Sequence, residues 1–204
     1  MGRLNDIALA TQVAVFGNKR AFDQLVREYQ SPVRRFFLGQ TLGDEMLSDD
    51  LAQDTFVKAY THIAQYRGTS GFLTWLTRIA YNVWYDHCRK RLKVEGGGLK
   101  VEGGGWKMEG EYSAADISPS TLHLPPSTQT PSTQSPSTLN MDLYSALAIL
   151  KDEERTCITL QLVDGYAIDE IADMMKMPSG TVKSHLRRGK EKLANYLREN
   201  GYDR

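Results

Sequence analysis

A chain of 204 residues with 25 basic and 25 acidic side chains carries no net charge, so it does not hold a polyanion through a bulk positive field alone. Its only cysteines, Cys88 and Cys157, fall outside any CxxC or CxxH spacing, which excludes a disulfide scaffold and argues against a classical zinc site, and no metal or other cofactor is assigned. A Gly-rich phosphate loop and a nucleophile–base signature are both missing from the sequence, so the chain is not read as an enzyme.

The neutrality hides a segregation of charge. Met1–Leu92 has 12 basic and 9 acidic residues, Lys93–Thr138 has 3 and 5, and Leu139–Arg204 has 10 and 11. Within the last segment Asp142–Asp173 holds eight acids and two bases, whereas Lys176–Lys192 holds six bases and one acid, Glu191. Local basic patches on a neutral molecule suit a subunit that meets nucleic acid inside a larger assembly. The uncharged stretch Ile7–Gly17 is broken by Thr11 and Gln12 and lacks a small-residue cleavage site. The longest uncharged run, Ile117–Met141, is too rich in Pro, Ser and Thr to span a bilayer. The expectation is a cytoplasmic protein without membrane insertion.

In chain order, the hydrophobic periodicity predicts four helices before residue 93, over Leu4–Phe16, Lys19–Gly39, Ser48–Tyr66 and Gly71–Arg91. In the third, Ala52, Phe56, Ala59, Tyr60 and Ile63 form the apolar face, Asp50, Gln53 and Asp54 lie off it, and Ser48 is the expected N-cap. The fourth has a core stripe of Phe72, Trp75, Leu76, Ile79 and Val83. About 120° away, Arg78, Tyr81, Asn82, Tyr85 and Arg89 line a second stripe that Lys90 and Arg91 extend. Cations for phosphate, rings for stacking and an amide for a base edge are what an unstacked single strand requires. The same stripe also reads as an ordinary polar face with amphipathic tyrosines at its rim.

Residues 93–138 read as a disordered linker. They repeat Lys-Val-Glu-Gly-Gly-Gly at 93–98 and 100–105, then Pro-Ser-Thr from Pro126, Pro131 and Pro136, a composition that cannot bury enough surface to offset its ordering entropy. A coil of this length spans about 35–40 Å and reaches roughly 150 Å when extended.

After the linker, Gly165–Pro178 followed by Ser179–Leu193 reads as a helix-turn-helix, whose second helix enters a DNA major groove. Val182, Leu186, Gly189, Leu193 and Leu197 share one stripe that must be buried. Thr181, Ser184, Arg187 and Arg188 lie opposite, with Lys183 and Lys190 on the flank, supplying donors to base edges and phosphates. A solvated, lysine-rich surface helix is the plainer alternative.

The two units together resemble an extracytoplasmic-function sigma factor, a two-domain bacterial transcription initiation factor. The first unit is similar to the family's second conserved region through Asp49-Asp-Leu-Ala-Gln-Asp-Thr-Phe-Val-Lys-Ala-Tyr60, Tyr66-Arg-Gly, Phe72-Leu-Thr-Trp-Leu-Thr-Arg-Ile-Ala-Tyr-Asn82 and Asp86-His-Cys-Arg-Lys-Arg91. The second is similar to its fourth region through Asp169-Glu-Ile-Ala172 and Gly180-Thr-Val-Lys-Ser184. The resemblance implies an all-α fold of two helical domains, residues 1–92 and 139–204, joined by the 93–138 linker. It implies a function in directing core RNA polymerase to promoters and assisting DNA melting, where a helix-turn-helix unit alone would imply a stand-alone regulator.

The resemblance further implies that Asp50, Gln53 and Asp54 dock on the clamp coiled coil of the polymerase's largest subunit, while the C-terminal domain meets the flap of the second largest. Arg67, Arg78, Asn82, Tyr85 and Arg89 face the −10 element, where Asn82 stands beside a flipped base. Thr181, Lys183, Ser184, Arg187 and Arg188 face the −35 element. An anti-sigma factor is a further implied partner. Two promoter elements about 20 bp apart are separated by roughly 70 Å, so a polymerase that uses both must hold the domains apart.

Three positions depart from the family pattern. Ala167 stands where Ser or Thr usually caps the first helix of the motif, a loss of about 1 kcal/mol. Lys176 occupies a turn position often given to Gly or Asn, and costs about 1 kcal/mol if that turn needs positive φ. Trp84 replaces a small residue and is expected to pack on a neighbour or to alter the strand-facing surface.

Overall fold

The computed structural model describes residues 2–94 and 137–201. Every regular element among them is helical: α1 (Arg3–Phe16), α2 (Lys19–Gln40), α3 (Glu45–Thr61), a short 3-10 turn (Ile63–Gln65) and α4 (Phe72–Val94), then α5 (Ser137–Ala148), α6 (Asp152–Ile158), a π-helical turn (Thr159–Val163), α7 (Ile168–Met175) and α8 (Ser179–Glu199). Apart from the end of α4 and the start of α5, the segment read as a linker lies outside the described residues.

The N-terminal unit packs α1 to α4 around Leu25, Phe36, Phe37, Phe72 and Leu76, each almost wholly excluded from solvent. Burying side chains of this size stabilises a fold by about 1.5–3 kcal/mol apiece. Local chemistry sets the helix starts. Asn18 accepts from the Arg20 and Ala21 amides to begin α2. Asp44 accepts from the Leu47 amide at 3.0 Å and begins α3 three residues before the expected start. Ser48 is therefore not the cap. It is fully buried within the helix, and its hydroxyl donates to the Asp44 carbonyl at 2.6 Å. The expectation failed because a stronger acceptor stood one turn upstream, where an aspartate caps as well as a serine. Across the bundle, Tyr29 donates to the buried Asp6 carboxylate at 2.8 Å, and Arg34 bridges Glu45 and Asp49 from α2 to α3.

In the C-terminal unit, Val182, Leu186 and Gly189 form the buried stripe of α8. Gly189 is there because α6 comes too close for anything larger. A Cβ at that position would lie 2.9 Å from Ile158 Cγ1. Leu197, read as the end of the same stripe, is instead 40% exposed, since α8 outruns the helices it packs on. Lys192 anchors the middle of α8 by donating to the buried Glu154 carboxylate at 2.7 Å. Burial acts to raise the Glu154 pKa, but Lys192 and the Lys151 amide outweigh it and hold the carboxyl below its ordinary value.

The helix-turn-helix joint shows how the two weak positions are accommodated. Ala167 offers α7 no side-chain cap, and only the reverse half of a capping box remains, with Glu170 accepting from the Ala167 amide at 3.0 Å. Lys176 does adopt the left-handed conformation, φ 54° and ψ 41°. Ser179 donates to Asp169 at 2.8 Å and ties the start of α8 to the start of α7.

The two units are in contact. Arg155 and Thr156 of α6 meet the end of α2, Tyr166 meets Thr77 of α4, and Asp164 and Asp173 pair with Arg35 and Arg78. Trp84 lies buried on α4, as do Tyr81 and Thr77. Trp84 thus packs inward and adds no bulk to the solvent face.

Because Lys176 holds a left-handed conformation that glycine adopts more readily, relief of that backbone cost should let Lys176→Gly raise stability by up to about 1 kcal/mol. A thermal melt that shifts upward checks this, and an unchanged or lowered melting temperature contradicts it.

Candidate nucleic-acid and polymerase surfaces

The sequence grouped five residues on one strand-facing stripe of α4 and its preceding connection, but the structure separates them into two neighbouring sets. Arg67, Arg78 and Asn82 line a pocket of about 180 Å³ between the connection at residues 66–71 and α4. Tyr85 and Arg89 line a smaller crevice of about 90 Å³ with Trp84 and Cys88 further along the helix. Arg89 is held there by Asp86 at 3.1 Å, and the same carboxylate receives Lys58 of α3 at 3.5 Å. Tyr81, counted as an aromatic of the stripe, is buried, and burial raises its phenol well above the usual range. Its ring supports Tyr85 with centroids 6.3 Å apart.

The first pocket has an aromatic wall that the sequence reading assigned elsewhere. Trp75, expected in the core, is only half-buried and lines the pocket beside Tyr66. The Tyr66 and Trp75 centroids are 5.5 Å apart, and Phe72 lies 5.2 Å from Tyr66 and 5.4 Å from Trp75. A usable signal was present: Trp75, Arg78 and Asn82 are spaced i, i+3, i+7 and so share one side of a helix. The connection is braced from within, with Tyr66 donating to the Ser70 carbonyl at 3.1 Å. Gly68 has φ 69°, and a Cβ there would meet Ile7 Cδ1 at 2.9 Å. A pocket offering guanidinium groups, an amide and two rings can hold a planar base and its phosphate.

On α8, Thr181, Lys183, Arg187 and Arg188 are all exposed on the side away from Val182 and Leu186. Ser184 is half-buried, and its hydroxyl donates to the Gly180 carbonyl at 3.0 Å. Arg187 approaches Glu191 only to 3.9 Å, with both side chains largely solvated, so the pair leaves the guanidinium available. On α3, Asp50, Gln53 and Asp54 form an exposed patch at i, i+3, i+4, while Leu51, Ala52, Thr55 and Phe56 face the core. A third surface is apolar. A groove of about 460 Å³ between α2, α5, the π-helical turn and α8 is lined by Leu38, Leu143, Leu147, Leu162, Val163 and Leu197.

Two stretches of the chain match known family models: residues 25–93 match Sigma-70 region 2, and residues 140–193 match Sigma-70, region 4. The RNA polymerase sigma-H factor of Pseudomonas aeruginosa is 32% identical over 181 residues, which cover 89% of this chain and 88% of that protein. The ECF RNA polymerase sigma factor SigW of Bacillus subtilis is 30% identical, over 90% of this chain and 92% of its own length. The chain belongs to the extracytoplasmic-function (ECF) sigma factors. It directs core RNA polymerase to promoters for transcription initiation, and the two regions in order set aside the stand-alone regulator.

The fold of this ECF sigma factor is that of CnrH in complex with the cytosolic domain of CnrY, at a TM-score of 0.62 and 23% identity over 97% of this chain and 99% of that one. It is also that of the sigma factor RpoE in complex with the anti-sigma factor NepR from Bartonella quintana, at 0.61 and 24% over 90% and 98%. Among the described residues of the sigma factor, no group of three or more His, Cys, Asp or Glu side chains could hold a metal ion. No described helix is long and apolar enough to cross a membrane.

Proposed function

We propose that the sigma factor divides its work among four surfaces, with residues 1–92 serving polymerase docking and the −10 element, and residues 139–204 serving the −35 element. The observation that carries the assignment is the first pocket. It brings Arg67, Arg78 and Asn82 together with Tyr66 and Trp75, side chains from the 66–71 connection and from α4. A base extruded from duplex DNA loses a few kcal/mol of stacking, and the paired rings can return it by stacking while the Asn82 amide contacts the base edge and the arginines the backbone. Tyr85 and Arg89 extend the track along the strand.

Asp50, Gln53 and Asp54 form the patch that docks on the clamp coiled coil of the largest polymerase subunit. Support comes from their exposure on α3 beside residues that are wholly core. The apolar groove receives the flap of the second largest subunit, because Leu162, Val163 and Leu197 expose more apolar surface there than an isolated domain favours. An anti-sigma factor is a further partner, a reading supported by the complexes in which the two fold relatives were solved. The protein acts in the cytoplasm as a binding factor, not an enzyme, and uses neither cofactor nor metal.

Three outcomes test these assignments. Gln53→Ala combined with Asp54→Ala should weaken core polymerase binding while circular dichroism stays unchanged, because neither side chain supports the core; unchanged affinity removes the patch from the interface. An alanine at whichever of Arg187 and Arg188 reads a base should cost about 1–3 kcal/mol and relax −35 preference, whereas loss of a phosphate contact weakens all sequences alike and lowers the salt slope by about one. Promoter preference that survives both substitutions contradicts the recognition face. Asn82→Ala should leave −35 binding intact but reduce open complexes, read as permanganate reactivity of −10 thymines; normal opening ends the base-capture assignment, and a lowered melting temperature without an opening defect makes Asn82 a structural residue.

A further inference from the structure

Asp6 is only 4% exposed, an acid in the first turn of α1 that none of the surfaces described above employs. It accepts a hydrogen bond from the Tyr29 hydroxyl at 2.8 Å, and its other oxygen, Oδ1, has no hydrogen-bond partner among the described residues. Burial, and then the Asp6 carboxylate, push the Tyr29 phenol well above its usual range, which keeps it protonated as the donor. Such a pair is a poor stabiliser. A buried carboxylate with one oxygen unmet carries a desolvation cost that an apolar pair of similar shape avoids. What the pair does supply is direction, because a hydrogen bond fixes where a ring lies more narrowly than an apolar contact does.

That direction leads to the pocket assigned to the −10 strand. The Tyr29 ring lies 5.2 Å from Phe72, and Phe72 lies 5.2 Å from Tyr66 and 5.4 Å from Trp75, the two rings of the pocket wall. The next residue of α1 reaches the same site by a second route. Ile7 stands against Gly68, where φ is 69° and an added Cβ would lie 2.9 Å from Ile7 Cδ1. Asp6 and Ile7 thus act on the wall and on the connection of a pocket that neither of them lines.

We infer that α1 positions the base pocket: Asp6 through Tyr29 and Phe72, and Ile7 through Gly68, hold the paired rings and the 66–71 connection at the spacing that the preferred −10 base fits. Asp6, Ile7 and Tyr29 are then positioning residues for base selection. This rests on the assignment of the α4 pocket to the −10 element. Loosening the support leaves Arg67, Arg78 and Asn82 to attract a strand. The pocket then accepts bases it would otherwise reject, since selection needs its groups held to within about 0.5 Å.

Asp6→Leu with Tyr29→Phe tests the pair, because it removes both polar groups and keeps an aromatic ring at position 29. With core polymerase and promoters carrying each base in turn at each −10 position, the ratio of open complexes on the preferred base to those on the others should fall at least about fivefold. Binding to core polymerase and to the −35 element should stay within about twofold of the parent, since those faces lie elsewhere. The melting temperature should not fall. Asp6→Asn keeps an acceptor for the Tyr29 hydroxyl and should keep the parent's preference, whereas Ile7→Ala should weaken that preference by the second route. An unchanged preference in the double variant overturns the inference. So does a loss of stability with opening reduced equally on every base, which is the behaviour of a merely structural pair.

A second measurement needs no promoter. In the full chain labelled with fluorotryptophan, the Trp75 signal, assigned by Trp75→Phe, should shift more between light and heavy water in the double variant than in the parent. The signal of Trp84, buried further along α4, should stay in place. An unchanged Trp75 signal means that α1 does not position the wall. If Trp75 responds as expected while Asn82→Ala opens promoters normally, the −10 assignment fails and the positioning of the pocket by α1 stands.

Discussion

Arg155 ties three separate segments of this structure together. It is almost fully buried, and its guanidinium donates to the carbonyls of Leu147 at 3.2 Å, Leu150 at 3.1 Å and Gln40 at 2.7 Å. Gln40 is the last residue of α2, and Leu147 lies in the final turn of α5. The Gln40 and Leu147 carbonyls lie at helix C-terminal ends, which bear partial negative charge. One planar cation with five donors satisfies them from three directions, which a lysine could not do. Asp152, one turn away at 3.2 Å, compensates the charge. The connection between α5 and α6 and the docking of α6 on α2 both depend on this residue, and a buried guanidinium without those acceptors would be strongly unfavourable.

The placement of charge elsewhere follows from the same need to keep ions solvated or paired. On α8 the buried stripe of Val182, Leu186 and Gly189 turns Arg187 and Arg188 into water, where they can meet phosphate or base. On α4 the buried Leu76, Ile79 and Val83 leave Arg78 and Asn82 at the pocket. Neutrality of the whole chain and basicity of its contact faces are therefore compatible. Some of the acids are held in internal pairs, as at Glu154 with Lys192 and Asp164 with Arg35. At Asp164 burial holds the carboxyl above its ordinary value, and Arg35 only partly offsets it.

The helix-turn-helix shows how a motif tolerates two locally unfavourable residues. Ala167 removes one cap and Lys176 takes a conformation that glycine prefers, yet Ile171, Met174, Met175 and Val182 bury their side chains around the joint. Tertiary burial of four apolar side chains outweighs about 1 kcal/mol at each of two backbone positions. The Ser179–Asp169 hydrogen bond restores part of what the missing cap loses.

Much of this was legible in the sequence, because it depends on residues close together in the chain. Helical periodicity marked α1, α2, α4, α7 and α8. The spacing of Asp50, Gln53 and Asp54 put them outside the core, and the basic run of α8 lay opposite its apolar stripe. The family pattern marked Lys176 as unfavourable if its turn needed positive φ, and the turn has φ 54°. Local reading failed where two acceptors competed, as Asp44 did with Ser48 for the start of α3, and where a side chain's surroundings came from a distant segment. Trp75 and Tyr81 belong to one helix, and periodicity assigned the first to the core and the second to the surface. Packing reverses them, because the Tyr66 connection leaves Trp75 facing a pocket while the C-terminal unit covers Tyr81. The contact between units rests on Gln40 with Arg155 and on Thr77 with Tyr166, pairs separated by more than eighty residues. No periodic pattern encodes such a pair, since each member is an ordinary polar residue until the fold brings its partner within hydrogen-bonding distance.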